Sequence, residues 1–153
     1  AEYLAERHPE HAIWPREAQA RARARSLCAE MHAGFSRLRS LCPMNIEAFF
    51  PEIGARLWAE DAGLRANVAR LEAAWGEALA TSGGPFLFGA FSAADAYFTP
   101  VAVRLSRFSL PVSEATAAYR DALLAHPAVE DWIAEAMREQ DFVVEDEPYR
   151  TQR

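Results

Sequence analysis

The stretch "GPFLFGAFSAADAYF", Gly84 to Phe98, decides how the chain is read. A Gly-Pro opener leads through an apolar run to Ser92, and three residues further on stands Asp95. The pair is either catalytic or holds a helix end together. Four backbone N–H groups at a helix start lack intrahelical partners. A serine at the cap accepts from one of them, and an acid three residues later reaches back to the serine's own N–H. Asp95 is a shorter acid than the usual Glu or Gln, but its charge suits the positive helix end. A catalytic Ser/Asp pair needs a histidine, and this segment holds none. The spacing therefore predicts a capped helix from Ser92 to about Phe108. Phe91 stands where a hydrophobic staple begins, opposite Ala96, so that staple is weak. Pro100 removes the bond to the Ala96 carbonyl and predicts a bend beside Tyr97, Val101 and Arg104. Such a bend shapes a cleft or merely improves packing.

On either side of this segment the pattern stays helical. Residues 1–7, "AEYLAER", read as the tail of a helix without a beginning, stopped at His8-Pro9. "EHAIWPRE" is a linker anchored by Ile13 and Trp14. Ala24, Leu27, Met31, Phe35, Leu38 and Cys42 recur at three- and four-residue steps, predicting one helix from about Glu17 to Leu41. "PMNIEAFFPEIGARLWAED" is irregular or short-helical. Leu64, Val68, Leu71, Trp75 and Leu79 form the stripe of a helix from about Glu60 to Ala80, ended by "TSGGP". Ser113 to Ala125 and Pro127 to Met137 complete the set. The core is expected to draw on Leu64, Val68, Leu71, Trp75, Tyr97, Val101, Trp132 and Ile133. The acidic tail from Glu139 onward reads as loosely ordered, with Phe142, Val143 and Tyr149 able to dock. Only "FLF" reads as extended. The fold class is all-α, a helical bundle.

Its 153 residues suffice for one hydrophobic core, and 51% hydrophobic with 25% charged residues excludes intrinsic disorder. No apolar run approaches the roughly 20 residues of a membrane span, and "AEYLAERHPEH" is not a signal peptide. A net charge of −6 argues against general nucleic-acid binding. All 16 cationic side chains are arginine, as a GC-rich coding sequence or anion recognition would produce. Arg21 and Arg25 align on one face and suit acids, including acids across a dimer seam. If one helix carries both Cys28 and Cys42, about 14 residues at ~1.5 Å each separate them by ~21 Å, too far for a disulfide. Free thiols fit a reducing, cytoplasmic compartment. His8 and His11 stand three apart in the linker with no cysteine partners, so no metal is expected.

"FLFGAFSAADAYFTPV" (86–101) resembles the capping-box segment opening the buried sixth helix in the C-terminal domain of glutathione S-transferases. "EYLAERHPEHAIWPRE" (2–17) resembles the end of the third helix of that family's thioredoxin-like domain plus the interdomain linker. "RARSLCAEMHAGFSRLRSLCPMN" (23–45) resembles the fourth helix of a bacterial branch, and "LLAHPAVEDWIAEAMRE" (123–139) the closing helix. The resemblance spans nearly the whole chain and implies three parts. Residues 1–14 end a preceding helix and form the linker, 15–140 form the helical domain, and 141–153 form an acidic tail.

The resemblance also implies a function. The helical domain would hold a hydrophobic electrophile, while a thioredoxin-like domain outside this sequence binds glutathione and activates its thiol. The chemistry would be conjugation, or isomerisation as in the zeta-like class, in a cytoplasmic homodimer. No catalytic residue is expected within these 153 residues, and the chain alone is expected to be inactive and prone to self-association through Tyr3, Leu4 and Trp14. Along the predicted 17–41 helix, Cys28, His32, Phe35 and Arg39 share a stripe suited to an electrophile carrying a carboxylate or carbonyl. Met44, Asn45 and Phe50 would close that pocket on one side, Tyr97 and Arg104 on the other. Ala33 and Gly34 read as allowing close helix packing. A docking module of the same fold remains an alternative, as does the ligand-binding half of a bacterial regulator.

Overall fold

Ser92 starts a helix as its spacing predicts. Its Oγ accepts from Ala94 N at 3.3 Å, and the Asp95 carboxylate accepts from Ser92 N at 2.9 Å, completing a capping box. Phe91 has a different partner from the weak staple: it stacks on the His126 ring at 3.8 Å and meets Phe86 edge-on. The computed structural model describes residues 1–139 and 141–153. In chain order the helices are α1 (Glu2–Arg7), α2 (Ala18–Ala33), α3 (Ser36–Leu41) and α4 (Pro51–Glu60). They continue with α5 (Ala62–Ser82), α6 (Ala93–Arg107), α7 (Glu114–Leu124) and α8 (Pro127–Ala136), and a 3-10 turn covers Val144–Asp146. The described residues form no strand beyond isolated bridges, Phe86 with Gly89 and Phe88 with Ala90, in the run read as extended. The protein is an all-α bundle.

Most helix starts carry a side-chain cap. Glu17 accepts from Gln19 N and Ala20 N to begin α2, Asp61 from Leu64 N to begin α5, and Ser113 from Thr116 N to begin α7. Pro51 and Pro127 occupy first-turn positions of α4 and α8, where a missing N–H costs nothing.

Helix α6 is the axis of the bundle, packed between α2 and α7, while α3 and α4 close on α5 and α8 on α7. Leu27, Leu38, Leu64, Val68, Leu71, Trp75, Phe98, Leu105 and Leu123 are fully enclosed. Burying each such side chain contributes about 1.5–3 kcal/mol before the entropy of ordering is subtracted. The Trp75 indole meets Phe98 and Tyr119 edge-on, at 5.5 and 4.8 Å between ring centres. Two residues assigned to the core from the pattern are not in it: Tyr97 is 38% exposed and Trp132 39%. Trp14, expected to be exposed, is buried, and the adjoining Ile13 carbonyl accepts from Ala93 N at 2.8 Å.

The helix predicted over 17–41 is two helices. Gly34 caps α2 with extended backbone (φ −98°, ψ −166°), and Phe35 enters α3 in the left-handed region at φ 54°. A side chain at Gly34 would stand 2.6 Å from the Glu30 carbonyl of its own helix, so the glycine serves the break rather than packing between helices. The periodicity survived the break because Phe35 and Leu38 still turn into the core. Gly54 is where close approach occurs: a Cβ there would lie 1.7 Å from the Phe108 carbonyl, so α4 rests directly on the end of α6.

The tail beyond Asp141 is docked by one residue of the three expected. Tyr149 donates to the Leu41 carbonyl at 2.7 Å and packs edge-on against Phe50 and Phe108. Val143 is exposed, and Phe142 lies beneath the Arg150 guanidinium. Arg150 reaches both Glu147 and Glu47, clasping the tail to the loop after α3.

Candidate functional site

The break at Gly34 and Phe35 disperses the stripe expected on a single helix. Cys28 is buried on α2, His32 is exposed, Phe35 enters the core, and Arg39 points to solvent from α3. The other candidates fall into separate neighbourhoods. Arg104 is mostly enclosed and donates to the carbonyls of Cys42 and Pro100 at 2.8 and 3.1 Å, with Met44 Sδ at 3.5 Å. Burial lowers its pKa from the ordinary arginine value. It therefore braces the ends of α3 and α6 rather than presenting a guanidinium to a ligand. Asn45 is buried, donates to both oxygens of Glu147 at 2.9 and 2.8 Å, and accepts from Ala48 N at 2.6 Å. Met44 and Asn45 adjoin the tail in a polar cleft between the post-α3 loop and Arg150. Phe50 is occupied by Phe108 and Tyr149.

Three of the predicted residues, Cys28, His32 and Tyr97, share one groove. His32 of α2 and Tyr97 of α6 line one groove of about 450 Å³ with Cys28, Ala29, Trp14 and Arg25, where α1 and the linker cross the bundle. Small-molecule clefts span roughly 300–1,000 Å³. Tyr97 is also the wall of a neighbouring groove of about 660 Å³ lined by Leu4, His11, Ile13 and Phe91. The segment before α2, read as a linker, thus supplies much of the lining. Trp14 and Arg25 were not singled out as site residues, and their partner Glu2 lies 23 residues from Arg25, beyond any local periodicity.

The cysteine in this groove is not a reactive thiolate. Burial, with a smaller contribution from the Asp95 charge, pushes the Cys28 thiol up to about 11, so it stays protonated at neutral pH. Arg25 forks onto Glu2, Nε to Oε1 at 2.8 Å and Nη2 to Oε2 at 2.5 Å, and its guanidinium lies 5.7 Å from the centre of the Trp14 ring. Arg21, expected to align with Arg25 toward acids, instead donates to the carbonyls of Pro15 and Arg16. Both arginines are thus engaged within the chain. His8, Glu10 and His11 cluster loosely at the surface, and no metal-binding group of three His, Cys, Asp or Glu side chains occurs among the described residues.

A further cleft, of about 410 Å³, runs between α6 and α8 past Pro100, Val129 and Trp132. Tyr97, Val101 and Arg104, the residues expected beside a bend-made cleft, do not line it. Among the described residues, no helix is long and apolar enough to cross a membrane. No protein-family model matches the sequence, and no curated protein matches it.

Proposed function

We propose that this chain is the helical, co-substrate-binding domain of a glutathione S-transferase-type enzyme, holding an electrophile while a thioredoxin-like domain outside the 153 residues binds and activates glutathione. The observation that carries the reading is the shared groove of His32 and Tyr97 on the face where α1 and the linker meet α2 and α6. A co-substrate pocket in such an enzyme must open toward the preceding domain. The buried capping box at the start of α6 is the second support, since it is the motif on which the resemblance chiefly rests. The reaction is conjugation to the electrophile or glutathione-assisted isomerisation, and the activating residue lies outside this sequence. Burial raises the Cys28 and Cys42 thiols to about 11 and about 12, so neither is a thiolate near neutral pH.

The test extends the chain with its natural upstream coding sequence and assays glutathione-dependent turnover of a panel of electrophiles. His32→Ala and Tyr97→Ala are expected to raise KM for the electrophile and leave KM for glutathione unchanged. Absence of glutathione-dependent turnover by the extended chain overturns the reading. A docking module is the second reading, favoured by Tyr3 and Leu4, which are 71% and 51% exposed beside the same face. A folded extended chain without turnover that binds a protein through these residues would support it.

A further inference from the structure

The geometry points to the groove between α1, α2 and α6 as a carboxylate-recognition site for a small aromatic acid, with the Glu2 side chain occupying the carboxylate position as an internal plug. The substrate class depends on the groove being the co-substrate pocket proposed above; the acid site itself does not.

Three donors converge on one place. Arg25 directs Nε and Nη2 at the two oxygens of Glu2 in the forked geometry that guanidinium and carboxylate share. The indole N–H of Trp14 is buried and has no hydrogen-bond partner in the protein. Buried donors are nearly always satisfied, so an orphan on a residue that lines a groove marks a place where an acceptor belongs. That N–H lies close enough to the Glu2 carboxylate to help hold its pKa below the ordinary value, behind the larger effect of Arg25. Glu2 therefore sits near the indole without reaching it. An incoming carboxylate placed slightly deeper would satisfy Arg25 and Trp14 together.

The remainder of the lining suits a flat apolar body. Ala29 and the edge of Cys28 form a small-residue floor, and Trp14 and Tyr97 supply aromatic surface. The plug is held loosely. The Glu2–Arg25 pair is about half exposed on each side. Exposed ion pairs of this kind are weak and screened by salt. A rigid aromatic acid brings the same charge plus apolar area that Glu2 lacks, so it displaces the side chain.

The test is a titration of the 153-residue chain with sodium 2-naphthoate, followed through the Trp14 indole N–H resonance in a ¹H–¹⁵N spectrum. Trp14→Phe identifies that peak among the four tryptophans. The neutral isostere 2-naphthalenemethanol is the control. Naphthoate is expected to move the Trp14 resonance saturably, and the alcohol to leave it in place. Glu2→Gln should tighten naphthoate binding about two- to fivefold by removing the competing charge, and Arg25→Gln should weaken it at least about tenfold. Both positions are surface-exposed, so the variants retain the fold. Equal binding of acid and alcohol, or an affinity unchanged by Arg25→Gln, overturns the proposal. So does the absence of any Trp14 shift at millimolar naphthoate. Glutathione is absent from the assay. Acid binding without glutathione-dependent turnover by the extended chain sinks the transferase reading alone, and turnover without acid binding sinks the acid site alone.

Discussion

The phenol of Tyr119 donates to Oδ1 of Asp95 at 2.9 Å, tying the middle of α7 to the first turn of α6 inside the core. Asp95 is completely buried and also accepts from Leu87 N, Ser92 N and Ser92 Oγ. The carboxylate joins the α5–α6 connection, the cap of α6 and a neighbouring helix at one point. Burial, reinforced by the adjacent Asp95, drives the Tyr119 pKa far upward, keeping the phenol a donor.

Asp95→Ala is therefore expected to cost about 3 kcal/mol or more, because it leaves several buried donors without acceptors. Ser92→Ala removes a cap and costs about 1 kcal/mol. Tyr119→Phe falls between the two. Urea melts of the three variants check the order, and equal losses for Asp95→Ala and Ser92→Ala would reduce Asp95 to an ordinary cap.

Gly54→Ala should destabilise the protein by at least about 1–3 kcal/mol, since the added methyl overlaps the Phe108 carbonyl and backbone yields less readily than side chains. Gly76→Ala is the control, because a Cβ there meets nothing within 4 Å. It is expected to be neutral or slightly stabilising through higher helix propensity. Thermal melts of the pair separate steric overlap from backbone entropy.

Burial raises the Cys28 thiol from 9.0 to about 11 and the Cys42 thiol from 9.0 to about 12. A group whose native pKa is raised stabilises the fold fully below its unfolded pKa and loses that contribution as pH rises toward the native value. With respect to these thiols, stability is constant up to about pH 9 and falls between about pH 9 and pH 12. Cys28→Ala/Cys42→Ala should show a shallower alkaline fall in melting temperature than the parent. Maleimide should label neither thiol rapidly in the native protein and both after unfolding.

Tyr149→Ala is expected to cost about 2 kcal/mol, from the lost bond to Leu41 and the lost edge contacts with Phe50 and Phe108. It should also open the tail to proteolysis after Asp141. Limited proteolysis with mass mapping reads this directly, and unchanged cleavage would show that the Arg150 clasp holds the tail unaided.

Residue pattern alone determined the all-α class, the capping box and most helix boundaries, because caps, prolines and three-to-four periodicity act over a single turn. Glu17, Ser92, Ser113 and Pro127 mark their helix starts within a residue or two. The break at Gly34 and Phe35 became visible only in the tertiary structure, since the apolar rhythm runs through it unaltered and Gly34 alone marks it in the chain. Tertiary structure also reassigned the candidate residues. Arg104, Asn45 and Phe50 hydrogen-bond or pack within the fold, whereas His32 and Tyr97 meet across a groove. The Glu2, Trp14 and Arg25 cluster was not legible in the chain, because its members meet through the crossing of α1 and the linker over α2. A contact between segments so far apart in sequence leaves no mark on local periodicity, and the bundle must form before those side chains share one wall.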